Sequence, residues 1–599
     1  MITTNTLRRC YDHRLEMNDI RNHSVVLCFF AVVVLASASA AVGDENTAML
    51  TILHTSDLHG AVLPFNDYAN RPSNRGSLAQ VATLVENIRA ASNHPVLVLD
   101  SGDTLQGTPL EQFTHVRWGE PSPTIEAMNR IGYQAMAVGN HEFNFGLEVL
   151  RRAEAQATFP FLSANTIRAG TVEPAFPPYA VLDAGPLKVG VLGLITPNIP
   201  GWEKAENYAG LEFQPMDEAA RRWVSRLRDD EGCDLVVVIA HTGFEGDIET
   251  GEFDGTEHEN FVLRLTEIPG IDVLLTGHTH DDIPPRLVRG VFVSQPAARA
   301  RMLTRIDLRL ELGEEGWRIT ERLGENLSSS EARADTEFMA AFTLTHQRVQ
   351  TALDGPVGEV TDDVRVDRCR LEDCAAVDLI HAAQLEASGA ELSLAALLNA
   401  HAPPLAQGPV SWRWIHSFYV YPNSLVAVRL TGDQVRDVLE HAARYYDGLD
   451  CPAEGGCTVL IDAAIPLYNV DNMAGLHYRI DPTRPEGSRI RDLRYDGLPL
   501  DPHATFTVVC NSYRAAGGGL FPHLDTAEVA WRSSEEMTDL IGDYLNRHRP
   551  WRPAVDGNWR IGRDVAAEEE PVTPDQSAEE GRGGAADISN NNLNVGEGE

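Results

Sequence analysis

The sequence predicts an α/β protein built from two successive layered domains. Three observations carry that reading. At 599 residues, 43% of them hydrophobic, the chain exceeds what one hydrophobic core accommodates. From Ala48 to about Leu323, apolar β-type runs alternate with segments of helical period, the pattern of a largely internal sheet layered with helices. After a polar helical stretch, a second α/β segment runs from about Gly355 to Gly562.

Taken in order, residues 1–40 have the layout of a cleavable signal peptide: Arg8, Arg9, Arg14 and Arg21, then an apolar run from Val25 to Leu35, then Ala36-Ser37-Ala38-Ser39-Ala40. The run is shorter than the roughly 20 residues a spanning helix needs. The mature protein is therefore expected to be periplasmic or secreted, with no stable membrane anchor after cleavage, and monomeric. The first domain, residues 45–325, has strands expected at Thr51-Ile52-Leu53, Val96 to Leu99, Ala135 to Val138, Val189 to Leu194, Leu235 to Ala240 and Val273 to Thr276. Its helices are expected at Leu78 to Ala91, Pro123 to Ile131, Leu147 to Ala157 and Asp217 to Asp229. Residues 326–354 read as a linker helix, with Phe338, Phe342 and Val349 marking one face. The second domain, residues 355–563, has strands expected at Ser424 to Leu430 and Thr505 to Cys510. A helix from Gly432 to Tyr446 follows capping chemistry at Thr431-Gly432-Asp433. Residues 564–599, with Glu568-Glu569-Glu570 and Asn590-Asn591-Asn592, read as an acidic disordered tail.

The formal net charge of -38 argues against long nucleic acids as partners, because their affinity comes from lysine and arginine neutralising phosphates. Any phosphate chemistry must draw on local positive charge, which bound divalent metals supply. Beyond the signal segment, short spacings favour pairing Cys369 with Cys374 and Cys451 with Cys457, leaving Cys233 and Cys510.

The chemistry concentrates where apolar runs end. Those runs lead into Asp57 and His59, into Asp103, into Asn140 and His141, into His241, and into His278 and His280. In layered α/β sheets, ligands collect beyond the carboxyl ends of strands. Asp57, His59, Asp103, Asn140, His241, His278 and His280 form a carboxylate, amide and imidazole set suited to two borderline divalent cations, manganese, zinc, cobalt or iron. Asp103 is the candidate shared bridge, and the neighbouring Gly102, Gly139 and Gly277 are expected to let the backbone turn tightly.

This set resembles the calcineurin-like metallophosphoesterases. The stretches 100–107 (DSGDTLQG), 139–146 (GNHEFNFG), 277–280 (GHTH) and 511–519 (NSYRAAGGG) resemble the secreted 5'-nucleotidase family. The resemblance implies an N-terminal β-sandwich flanked by helices, joined by a helix to a C-terminal substrate domain. It implies one metal on Asp57, His59, Asp103 and His280, and another on Asp103, Asn140, His241 and His278. A hydroxide between the metals would attack phosphorus, with His141 stabilising the transition state. The family pairs that histidine with aspartate, whereas this chain has Asn144, a feature of the sub-branch acting on 2',3'-cyclic nucleotides and 3'-nucleotides. The segments 419–425 (YVYPNSL) and 468–475 (YNVDNMAG) resemble the same sub-branch. Around Leu397-Leu398-Asn399-Ala400-His401 the chain also lacks the arginine of a standard 5'-nucleotidase. Tyr421 and Tyr513 match the family's base-stacking aromatics, and Arg514 is a candidate substrate contact. The alternative is a 5'-nucleotidase or nucleotide-sugar hydrolase of broad specificity. More distant are a sulfur-ester hydrolase and a non-catalytic nucleotide-binding protein.

Overall fold

The computed structural model describes residues 46–563, apart from 254–255, 257–258, 422, 452–457 and 534. The expected signal peptide and acidic tail, and Cys457 of the second expected cysteine pair, lie outside the described residues. Two six-stranded sheets form the N-terminal domain. In the first, Thr47–Thr55, Val96–Asp100 and Ala135–Ala137 run parallel, with Met302–Gly313 antiparallel beside Thr47–Thr55. In the second, Leu187–Ile195, Leu235–His241 and Val273–Thr276 run parallel.

Strand side chains alternate between faces, and here each face has its own apolar partner. Leu235, Val237 and Ile239 meet Leu50, Ile52, Leu97 and Leu99 between the sheets. Val236, Val238 and Ala240 face helix Met216–Ser225. Leu53, Val98 and Met136 face helices Leu78–Ala91 and Pro123–Ile131. Burial on both sides explains why these strands read as unbroken apolar runs. At about 1.5–3 kcal/mol for each large side chain withdrawn from water, this packing holds the strand ends in place.

Local signals set most boundaries. Ser77 and Ser122 accept hydrogen bonds from the backbone N–H groups of Gln80 and Ile125, opening the two helices. Gly132 closes the second at φ +83°. Thr431 and Gln434 form a capping box at the start of Gly432–Ala442. Two expected helices change pitch in their last turn. The one expected through Asp229 is α-helical only to Ser225, then widens into a turn over Arg226–Asp230. The one expected through Tyr446 is α-helical to Ala442 and tightens into a 3₁₀ turn over Ala443–Tyr445. Tyr446 instead opens strand Tyr446–Asp450, and its hydroxyl donates to the Arg370 carbonyl at 2.7 Å.

Helix Thr336–Leu353 buries Phe338, Phe342 and Val349 against the first domain. The C-terminal domain is built on a five-stranded mixed sheet in the order Asp471–Ala474, Leu392–Ala396, Thr505–Asn511, Leu425–Thr431, Glu528–Arg532. Cys369 and Cys374 form a disulfide, and Cys233 and Cys510 are buried thiols. Among the described residues, no helix is long and apolar enough to cross a membrane.

Candidate active site

Five parallel strands from the two sheets end at one place, and the seven predicted ligands meet there. His280 Nε2 lies 3.0 Å from His59 Nε2 and 3.4 Å from Asp57 Oδ1. His241 Nε2 lies 3.0 Å from Asp103 Oδ2 and 2.9 Å from Asn140 Oδ1, and His278 Nδ1 lies 3.0 Å from the same amide oxygen. Ligand atoms of Asp57, His59 and His280 all fall within 4.8 Å of one another, as do those of Asp57, Asp103 and His241. Asp57 therefore belongs to both groups, a position the sequence reading gave to Asp103 alone.

The backbone is strained to achieve this. Asp57, His59, Asp103, His278 and His280 all have left-handed φ, between +46° and +78°. Non-glycine residues adopt that region at a cost of order 1 kcal/mol each, and only when the surroundings enforce it. The Asp57 and His59 amides donate to the carbonyls of Gly102 and Asp103 at 2.8 and 3.0 Å. The Glu142 carboxylate accepts from the amides of Gly139, Asp103, Thr104 and Leu105, tying the loops after two strands together. Only Gly102 among the three glycines singled out has positive φ, +98°. Gly139 and Gly277 are needed for close approach: a Cβ would meet Asp103 Oδ1 at 2.2 Å in one case and Ser56 Oγ at 2.0 Å in the other.

The donor set fits a cation. His59 Nδ1 faces the Gln106 carbonyl and amide oxygens, and His241 Nδ1 faces the Ser101 carbonyl at 2.8 Å, so both Nδ1 atoms carry hydrogen. Each Nε2 then presents a lone pair to other electron-rich atoms about 3 Å away. Such crowding requires positive charge between them, supplied by a proton or a metal. Buried Asp103 Oδ2 has no hydrogen-bond donor. With protons as the only cations, burial opposes charge on His241, but Asp103, Asp57 and Glu142 outweigh it and push the imidazole up to about 9. Burial, with His280 beside it, takes His59 down to about 4. Burial would raise Asp57, yet His280 and His241 hold it below the ordinary carboxylate range. A divalent ion replaces such protons directly.

The calcineurin-like phosphoesterase family profile matches residues 50–282, and that of the 5'-nucleotidase C-terminal domain matches residues 356–526. The chain is a two-domain calcineurin-like phosphoesterase. It is 29% identical over 600 residues to the 2',3'-cyclic-nucleotide 2'-phosphodiesterase/3'-nucleotidase of Salmonella typhimurium, covering 89% of this chain and 92% of that protein. It is 28% identical to the trifunctional nucleotide phosphoesterase protein YfkN of Bacillus subtilis, covering 86% of this chain but spanning only 39% of that longer protein. A putative 5'-nucleotidase from Staphylococcus aureus shares its fold, with TM-score 0.71 at 24% identity over 86% of this chain and 100% of that one.

In this phosphoesterase, His141 Nδ1 lies 2.6 Å from Asn144 Oδ1, and its Nε2 lies 4.0 Å from Asp103 Oδ2. The predicted partner is therefore in contact. In the C-terminal domain, Tyr468 is edge-on to both Tyr421 and Tyr513, with ring centroids 6.4 Å apart in each pair. Arg514 departs from the expectation of a substrate contact. It is buried, pairs with Asp471 at 2.8 Å, and donates also to the carbonyls of Gly518 and Tyr468. Its donors are spent holding the segments that carry Tyr468 and Tyr513.

A cleft between the domains is lined by Gln106, Gln112 and Phe145 on one side and His416, Tyr421 and Glu536 on the other. Gln106 also bonds His59, so this cleft adjoins the ligand cluster. Burial, with Asp539 nearby, pushes Glu536 up to about 7. Sequence reading missed Tyr468 as a third ring, Glu142 as the loop staple, and Glu203, which accepts from the Asn144 amide at 2.5 Å. Glu142 and Tyr468 lie inside motifs already singled out. Glu203 carries no local pattern, because its partner is 59 residues away.

Proposed function

We propose that this phosphoesterase is a secreted, metal-dependent hydrolase of small nucleotides that opens 2',3'-cyclic nucleotides and removes phosphate from 3'-nucleotides. The observation that carries the reading is Asn144 at the contact with His141, together with the likeness to a 2',3'-cyclic-nucleotide 2'-phosphodiesterase/3'-nucleotidase along 92% of its length. Asp57, His59 and His280 would hold one divalent ion, and Asp103, Asn140, His241 and His278 a second, with Asp57 and Asp103 both near enough to be shared. Such ions supply charge neutralisation at the phosphoryl oxygens and lower the pKa of water toward about 7.

The chain's own groups account for the rest. Glu142 and the glycines keep the two carboxylates in register without reorganisation during turnover. The His141 side chain is 21% exposed, while those of Asp103 and His241 are fully buried. His141 can therefore reach a phosphoryl or leaving oxygen. Tyr421, Tyr468 and Tyr513 offer aromatic faces and edges to a base, an interaction that tolerates any nucleobase. Phosphate release from 2',3'-cyclic AMP, 3'-AMP and 5'-AMP, measured with one metal, tests the reading. The expected order places the first two well ahead. Faster release from 5'-AMP makes it a 5'-nucleotidase, and no release from any substrate with manganese, zinc or cobalt rejects hydrolysis.

A further inference from the structure

We propose that Glu203 is a positioning residue that makes Asn144 act on His141 in one orientation only, an inference that rests on the hydrolytic reading above. A side-chain amide has two faces, an oxygen that accepts and a nitrogen that donates. Beside an imidazole it can turn either way, and the wrong way sets the amide N–H₂ against the imidazole Nδ1–H. An aspartate, acceptor at both oxygens, does not have this ambiguity.

The structure removes it by a second carboxylate. Asn144 Oδ1 faces His141 Nδ1 at 2.6 Å while Asn144 Nδ2 donates to Glu203 Oε1 at 2.5 Å. The other oxygen, Glu203 Oε2, accepts from Asn207 Nδ2 at 2.8 Å, and the same nitrogen donates to the Asn144 carbonyl at 3.0 Å. A carboxylate accepts only, so Nδ2 must point at Glu203 and Oδ1 at the imidazole. The hydrogen on Nδ1 is thereby fixed and Nε2 is left toward the site. The short helix Ile199–Trp202, which precedes Glu203, brings the carboxylate there, and Trp202 packs on His278 with ring centroids 5.4 Å apart. The loop is thus anchored on the ligand cluster itself.

The proposal makes a signed prediction. In Glu203→Gln the new side chain has one acceptor for two amide donors, and its own N–H₂ turns Asn144 round. We expect kcat on 3'-AMP to fall about 10- to 100-fold, the range for removing an outer partner of a site histidine, with KM within threefold. Asn144→Asp alone should also lose activity, because two carboxylates then meet at hydrogen-bond distance. Asn144→Asp combined with Glu203→Gln restores a donor–acceptor match and should return kcat to within about fivefold of the parent. A purely structural role for Glu203 would leave the double variant no faster than Glu203→Gln; that outcome, or Glu203→Gln keeping more than half the parent kcat, overturns the proposal. The His141 Nδ1–H resonance, followed by ¹⁵N-histidine labelling of the metal-loaded protein, reads the same orientation without turnover. It should shift in Glu203→Gln and return in the double variant, and an unchanged resonance in Glu203→Gln also overturns the proposal. Should the parent hydrolyse no nucleotide, the proposed function falls while this resonance still decides the relay.

Discussion

Adding one methyl group at position 139 should disable the site while leaving the fold intact. The backbone there, φ -102° and ψ 178°, suits alanine as well as glycine, so conformational strain makes no contribution. The new Cβ would lie 2.2 Å from Asp103 Oδ1, 2.5 Å from Asp103 N and 2.9 Å from Glu142 Oε2, where ordinary contact begins at 3.4 Å. The Asp103 carboxylate must retreat by roughly 1 Å, the scale at which misplacement costs about 100-fold in rate. It would also give up its bond from the His141 amide, now 2.9 Å. We therefore expect Gly139→Ala to lose about 100-fold in kcat/KM, near 2.7 kcal/mol of transition-state stabilisation, and at least part of its bound metal. Overpacking should cost about 1–3 kcal/mol of stability. Gly119→Ala is the control: its added Cβ meets nothing within 4 Å, so metal and turnover should be unaffected despite its φ of +67°. Metal analysis and initial rates read both variants. Full metal content with kcat/KM within threefold of the parent in Gly139→Ala would refute the geometric argument.

Tyr468→Ala should raise KM for 3'-AMP about 10-fold or more, from a stacking contribution of about 1–3 kcal/mol, without changing hydrolysis of glycerol 2-phosphate, which has no base. Equal losses on both substrates would contradict a base-binding role. Arg514→Met strands Asp471 in a buried site, and removing one partner of a buried ion pair costs about 3–5 kcal/mol. Urea unfolding should show it, and an unchanged midpoint would count against the pair. Burial, with the Asp373 and Asp556 carboxylates, pushes Asp378 up to about 8. Between its ordinary value near 4 and that figure the folded state holds a proton the unfolded state has released, so stability falls as pH rises through this window. Asp378→Asn should accordingly melt higher than the parent at pH 8 in EDTA, with the gap closing toward pH 4. Identical melting curves at pH 8 would reject the assignment.

Where the physics is local, the sequence was sufficient. Helices Leu78–Ala91 and Pro123–Ile131 begin and end where their helical period placed them, and local serine side chains cap both starts. The buried strands were legible because both faces are covered, which leaves Leu235 to Ala240 without a polar residue. Helix Gly432–Ala442 runs on as a 3₁₀ turn to Tyr445, one residue short of expectation, and Tyr446 enters the next strand with its hydroxyl on the Arg370 carbonyl.

By itself the sequence determined which side chains could act: seven candidate ligands, placed where apolar runs end, with His141 and Asn144 beside one of them. Only the tertiary structure decided how they act. Asp57 belongs to both ligand groups, Arg514 is enclosed rather than offered to substrate, Tyr468 completes the aromatic set, and Glu203 turns Asn144 toward His141. Chain periodicity reports burial and local backbone preference, whereas these contacts join residues tens to hundreds of positions apart. Their geometry exists only once the two sheets have packed and brought their strand ends together.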